Sequence, residues 1–161
     1  MQGLHRTIRI VAIAMDLLGG TVLTLMMLIT VVDVILRFLG KPITGTYELV
    51  FLGGAVVIGC AIPMTSWEGA HVTVDLLLER FSGGARNVTL VFTRLCGIAF
   101  FFLLGWNLFA QGTDLYDKHE VSLTLHVPYY PVAYILGICA FVECLVLASG
   151  LIMTIQEVNH E

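Results

Sequence analysis

Four long stretches of apolar side chains, each nearly free of charge, constrain this chain more than any other feature. They cover about residues 10–36, 49–67, 88–110 and 129–155. A helix needs about 20 apolar residues to cross roughly 30 Å of hydrocarbon, and each stretch is long enough to do so. The first and last are long enough to tilt or to extend into the interface. A soluble domain carries about 25% charged residues, whereas this chain of 161 residues carries 12% and is 58% hydrophobic. The expected fold is therefore an all-α integral membrane protein, one membrane domain over residues 1–161, with four transmembrane helices.

Arg6 and Arg9 precede the first stretch, as in a signal peptide. A signal core is only about 7–15 residues long and ends at a small-residue cleavage site. This run continues to Arg37, so it reads as a retained span. Lysine and arginine set the orientation of such a protein. Arg6, Arg9, Arg80, Arg86 and Arg94 fall on one side, and Arg37, Lys41 and Lys118 on the other. That bias predicts both termini in the cytoplasm. Tyr47, Trp106, Tyr116, Tyr129 and Tyr130 then belong to the outer interface and Trp67 to the inner one, as aromatic belts do. Pro128 and Pro131 suit the opening of the fourth span, and Pro63 should loosen the last turn of the second.

The chain has no basic cluster, which argues against nucleic acid as a partner. Cys60, Cys96, Cys139 and Cys144 all lie inside apolar runs with no CxxC pair; such thiols are small packing residues. His5, His71, His119, His126 and His160 lie at span ends or in loops, which disfavours a haem-bearing redox anchor, where ligands sit within the spans.

Between the second and third stretches runs GAHVTVDLLLERF. Val74, Leu77, Leu78 and Phe81 fall at i, i+3, i+4 and i+7, one apolar face of a helix. His71, Asp75 and Glu79 share another face, and Ser82-Gly83-Gly84 ends the segment. The spacing predicts an amphipathic helix over residues 71–81 lying in the plane of the interface; an ordinary loop helix has the same pattern. His71 and Asp75 alone fall short of a zinc site, which needs three or four converging ligands.

Charges inside spans are the candidates for function, because each costs roughly 2.5–3.5 kcal/mol at the bilayer centre. Asp16 shares a stripe with Ala12, Gly20 and Thr24. It is either a hydrogen-bonded carboxylate in a helix-packing face or an ion or proton site. Glu143 lies midway between Tyr130 and Gln156, which places it near the midplane, facing protein. Arg94 stands in the first turns of the third span, within reach of the inner surface. Arg37 closes the first span and Glu48 opens the second after a short loop. They either pair across that hairpin or are solvated separately.

An ordered set of segments resembles a known family. VVDVILRF ends the first span at Arg37, and PITGTYELVFLGGAVVIGCA follows with Glu48. EGAHVTVDLLLERF carries His71 and Asp75, and LHVPYYPVAY leads into the fourth span. Together they are similar to the small integral-membrane subunit of tripartite ATP-independent periplasmic (TRAP) transporters, the DctQ-like family. The resemblance covers nearly the whole chain. It implies a bacterial inner-membrane protein that is not an enzyme. Its partners would be a large multispan membrane subunit, a periplasmic substrate-binding protein and membrane lipid. The small subunit would enlarge the static scaffold of an elevator-type transporter for uptake of an organic acid, a dicarboxylate, sialic acid or similar compound. No cofactor is expected in this chain; the coupling ion, sodium, would bind the large subunit. The segment over residues 71–81 would brace the complex at the inner surface. The alternative is a self-sufficient four-helix exporter, proton-coupled through Asp16 or Glu143.

Overall fold

The computed structural model describes residues 2–68 and 84–158. They form four helices: α1, Gln2–Phe38; α2, Thr46–Trp67; α3, Gly84–Asp117; and α4, Tyr130–Val158. All four are long and apolar enough to cross a membrane. No β-strand occurs among the described residues; a single antiparallel bridge joins Val121 to Pro128. The expected segment over residues 71–81, with His71, Asp75, Leu77, Leu78 and Phe81, lies outside the described residues.

At 1.5 Å per residue, α2 is about 33 Å long, close to the hydrocarbon thickness. The 37 residues of α1 and 34 of α3 give about 55 and 51 Å, well beyond that thickness. The third helix therefore continues past the expected end at residue 110 to Asp117. Gln111, Thr113 and Asp114 are polar but good enough helix formers to carry the helix out of the apolar layer. Trp106 consequently stands eleven residues, about 16 Å, before the helix end. Its side chain is exposed.

Hydroxyls within the helices are satisfied locally, as the absence of water in a bilayer requires. Thr21, Thr24 and Thr30 each donate to the carbonyl four residues back at 2.8 Å. Thr65 and Thr93 do the same at 2.9 Å. Pro63, fully buried, does not end α2, which runs on to Trp67 and closes with Glu68 N–H donating to Met64 O at 3.0 Å.

Packing follows the order α1–α2–α4–α3. Two antiparallel hairpins, α1–α2 and α3–α4, are joined along α2 and α4, which run parallel. Small residues set the close approaches. A β-carbon added at Gly53 would lie 2.6 Å from Met26 Sδ, between α1 and α2. One at Gly59 would lie 2.7 Å from Leu136 Cδ2, between α2 and α4. Beside it, Cys60 and Cys139 bring their sulfurs to 3.9 Å, both as free thiols. Between α3 and α4 an aromatic ladder descends the seam. Tyr116 meets Tyr130 at 5.3 Å, Phe109 meets Tyr134 at 5.6 Å, and Phe141 meets both Phe109 and Phe102 at 5.8 Å. Such pairs contribute about 0.5–1.5 kcal/mol each beyond their buried area.

The α2–α4 register is offset. Gly59 is the fourteenth residue of α2, and its neighbour Leu136 is the seventh of α4. Helix α4 thus starts about seven residues, or 10 Å, deeper than α2. The 118–129 connection fills that step by folding back on itself. Ser122 N–H donates to Val127 O at 2.9 Å and His126 N–H to Ser122 O at 3.1 Å.

Candidate functional site

Two polar clusters tie the helices together. The first is on the loop side, where the 39–45 and 118–129 connections lie. Asp33, in the last turns of α1, is only 4% exposed. Its Oδ2 accepts from Arg37 Nη2 at 2.8 Å, and its Oδ1 accepts from the Ile43 N–H at 2.8 Å. The carboxylate therefore fastens the connecting loop back onto the helix that precedes it. Thr46, also buried, donates to Ile43 O at 3.1 Å and completes the turn. The Arg37 guanidinium extends over the Tyr47 ring, 5.8 Å from its centroid, within the range of a cation–π contact. Arg37, Asp33, Thr46 and Tyr47 line an open groove of about 360 Å³.

Glu48 turns away from Arg37. Its carboxylate accepts the Thr124 N–H at 3.0 Å and the Leu125 N–H at 3.1 Å, and it also accepts the Ser122 hydroxyl. Of the two possibilities for Arg37 and Glu48, the structure forms neither the mutual pair nor two solvated charges. Each is engaged elsewhere: Arg37 one helical turn back, where i,i+4 geometry favours it, and Glu48 across to the 118–129 connection. Consecutive N–H groups of that connection converge on one carboxylate, so Glu48 holds the second hairpin to the first. Gly45, the residue before α2, permits this. Its φ of +89° suits glycine, and the Leu125 side chain occupies the space a β-carbon would need, with Cγ 2.4 Å from that point.

The second cluster is on the terminal side. Glu143 is 1% exposed, and Ser66 Oγ donates to its Oε1 at 2.5 Å. Its Oε2 is enclosed without a hydrogen-bond partner. Ser66 is the next-to-last residue of α2. Glu143 therefore lies level with the end of α2, not at the midplane that its central place in α4 implied. The offset start of α4 is the cause. Arg94 reaches across from α3 to α4, where its Nη1 lies 2.8 Å from the position a Gly150 β-carbon would take. Gly150 is seven residues, about 10 Å, beyond Glu143.

Asp16 joins neither cluster. It is exposed on α1, and no hydrogen bond or ion pair reaches it within the described residues. A cleft of about 300 Å³ between α2, α3 and α4 is lined by Ile58, Ile62, Phe101, Leu104 and Leu108, among others, with Glu143 at its edge. Its wall is almost entirely carbon. Among the described residues no three histidine, cysteine, aspartate or glutamate side chains converge as metal ligands would.

Sequence reasoning missed Asp33 as the anchor of the α1–α2 turn, although its i,i+4 spacing to Arg37 was visible. It also missed Ser66, Ser122, Thr124 and Leu125, which lie 74 to 77 residues from their partners and leave no local signal. The aromatic ladder did leave one: Phe102, Phe109 and Tyr116 recur every seven residues on α3.

These features define a multi-span helical membrane protein whose ionisable groups, where engaged, fasten helices to one another rather than line a polar chamber. Residues 26–157 match the family model for the DctQ component of tripartite ATP-independent periplasmic transporters, and the chain belongs to that family of small membrane components. Among curated proteins and among solved structures, nothing matches it. The family is one of transporter components, not of enzymes. The family works with a large membrane subunit and a binding protein, and membership of it, with four helices long enough to cross a bilayer, implies a multi-pass inner-membrane protein.

Proposed function

We propose that the chain is a static scaffold for the large membrane subunit of a sodium-coupled, binding-protein-dependent transporter of an organic acid. The termini lie in the cytoplasm, and the 39–45 and 118–129 connections face the periplasm. Solute and sodium are handled by the large subunit, which moves as an elevator against this chain. The observation that carries the reading is the use made of the engaged charges. Asp33, Glu48 and Glu143 all serve as fasteners between chain segments, and the cleft within the helices is apolar. A proton-coupled exporter would need a carboxylate facing a polar cavity. Glu143 is instead enclosed and bonded to Ser66.

Reconstitution in liposomes tests this. The chain alone should move no solute under a sodium or proton gradient. Uptake should require the large subunit and a loaded binding protein, and should depend on sodium. Proton-driven transport by the purified chain alone would refute the proposal.

A further inference from the structure

The first hairpin holds a cation in a fixed pose at the mouth of a groove. Asp33 is sealed in the protein, yet the Arg37 side chain that it grips is 52% exposed. The carboxylate takes one N–H of the guanidinium at 2.8 Å, and the Tyr47 ring lies 5.8 Å from the guanidinium carbon. Asp33 itself is anchored by the Ile43 N–H. Arg37 is therefore oriented from two sides rather than trailing in solvent. A guanidinium fork held in this way matches the oxygens of a phosphate or a carboxylate.

The groove changes character along its length. Arg37, Asp33 and Tyr47 form its mouth, and Thr30, Val34 and Val50 its deeper walls. Thr30 lies seven residues before Arg37, so the groove runs about 10 Å down α1, and the Thr30 hydroxyl is satisfied by Met26 O. Phe38 and Tyr47, 88% and 76% exposed, mark the headgroup level, where aromatic residues gather. The volume of about 360 Å³ suits a small ligand, for which roughly 300–1,000 Å³ is usual. A helix about 10 Å across would fill on the order of 800 Å³ over the same length. Charge favours an anion. Lys41, exposed in the connection after α1, joins Arg37, and the two against Asp33 leave one net positive charge. Glu48 is committed to the 118–129 connection. Asp114, Asp117 and Glu120 belong to the other hairpin, whose α3 is the helix farthest from α1 in the packing order.

We infer that this groove binds one phospholipid with an anionic headgroup. Its phosphate sits on Arg37, with Lys41 alongside, and the first part of one acyl chain lies along Val34 and Val50. Phosphate–guanidinium contacts are charge-assisted and bidentate, and the Lys41 stem is long enough to lie on apolar surface while its ammonium reaches the headgroup. A positive mouth at headgroup level above an aliphatic wall is the complement of such a lipid. The site lies within this chain and does not depend on the proposed partnership with a large subunit.

The test is native mass spectrometry of the full chain in detergent, with phosphatidylglycerol or phosphatidylcholine of the same acyl chains added. The wild type should retain one phosphatidylglycerol at least tenfold better than phosphatidylcholine. Arg37→Gln should abolish that preference. Val50→Trp, which fills the deeper part of the groove, should lower phosphatidylglycerol retention as well. Lys118→Gln, which removes a cation of the other hairpin, should change nothing. Thermal unfolding without lipid checks that each variant is folded, and Val50→Trp keeps the test decisive if Arg37→Gln is not. Equal retention of the two lipids by the wild type overturns the inference. A preference that survives both Arg37→Gln and Val50→Trp does so too, because the lipid then binds elsewhere. In native membranes, a photoreactive benzoylphenylalanine at Val34 should label phospholipid; labelling of a protein instead would give the groove to a partner and overturn the assignment.

Discussion

Gly45→Ala isolates the contact between the two hairpins. Two effects add at this position. The first is backbone strain: φ is +89°, and a left-handed conformation costs an L-residue about 1–2 kcal/mol. The second is steric, since the new methyl would fall 2.4 to 2.9 Å from three carbons of Leu125. Moving that side chain disturbs a residue whose N–H is held by Glu48; overpacking of this kind costs about 1–3 kcal/mol. The sum is about 2–5 kcal/mol. Gly40 provides the control. Its φ is +74°, but a β-carbon there would meet nothing within 4 Å, so Gly40→Ala should cost only the strain, about 1–2 kcal/mol. Thermal unfolding of the purified chain in detergent reads the difference. At about 2–4 °C per kcal/mol for a chain of this size, Gly45→Ala should melt several degrees below Gly40→Ala. Adding Leu125→Ala to Gly45→Ala should recover the steric part, and the non-additivity measures the contact. Equal melting of the two single variants, with no coupling to Leu125, would refute the seating of the 118–129 connection on the start of α2.

Charge reversal at both Arg37 and Glu48 should not restore the stability lost on reversing either one, because the two side chains have different partners; melting of the double variant above both singles would contradict the structure. Asp33→Ala should destabilise the chain more than Arg37→Ala by the same assay, since Asp33 also holds the Ile43 N–H. Glu143→Gln in the assembled transporter should retain appreciable solute uptake. Complete loss of uptake with normal assembly would count against a scaffold role.

The number and placement of the four membrane-length helices were legible because a bilayer leaves few alternatives: an apolar run of about 20 residues must be helical. Helix ends were not. Hydropathy marks where a helix leaves lipid, and α3 continues past that point because Gln111 and Thr113 need no lipid to stay helical. The depth of Glu143 was misjudged for a related reason. Its distance from Tyr130 is a property of α4, whereas its depth depends on how far α4 slides along α2, which Gly59, Cys60 and Cys139 determine through packing. Arg37 and Glu48 stand out in the sequence as charges on either side of a short loop, and both are engaged. Their partners differ because one lies a single turn away and the other arrives from the far hairpin, a pairing no window along the chain contains.

The seam between α2 and α4 behaves as a keyed joint. Leu136 sits where Gly59 leaves room for it, and a slip of one helical turn, about 5.4 Å, would drive it onto Ala55 or Pro63 instead. Glu48 at one end and Ser66 with Glu143 at the other pin the same joint. A wall fastened at top and bottom resists shear along its length, the load that the sliding neighbour proposed above would impose. Rigidity of this kind lets one part of a transporter travel while another keeps its place in the membrane.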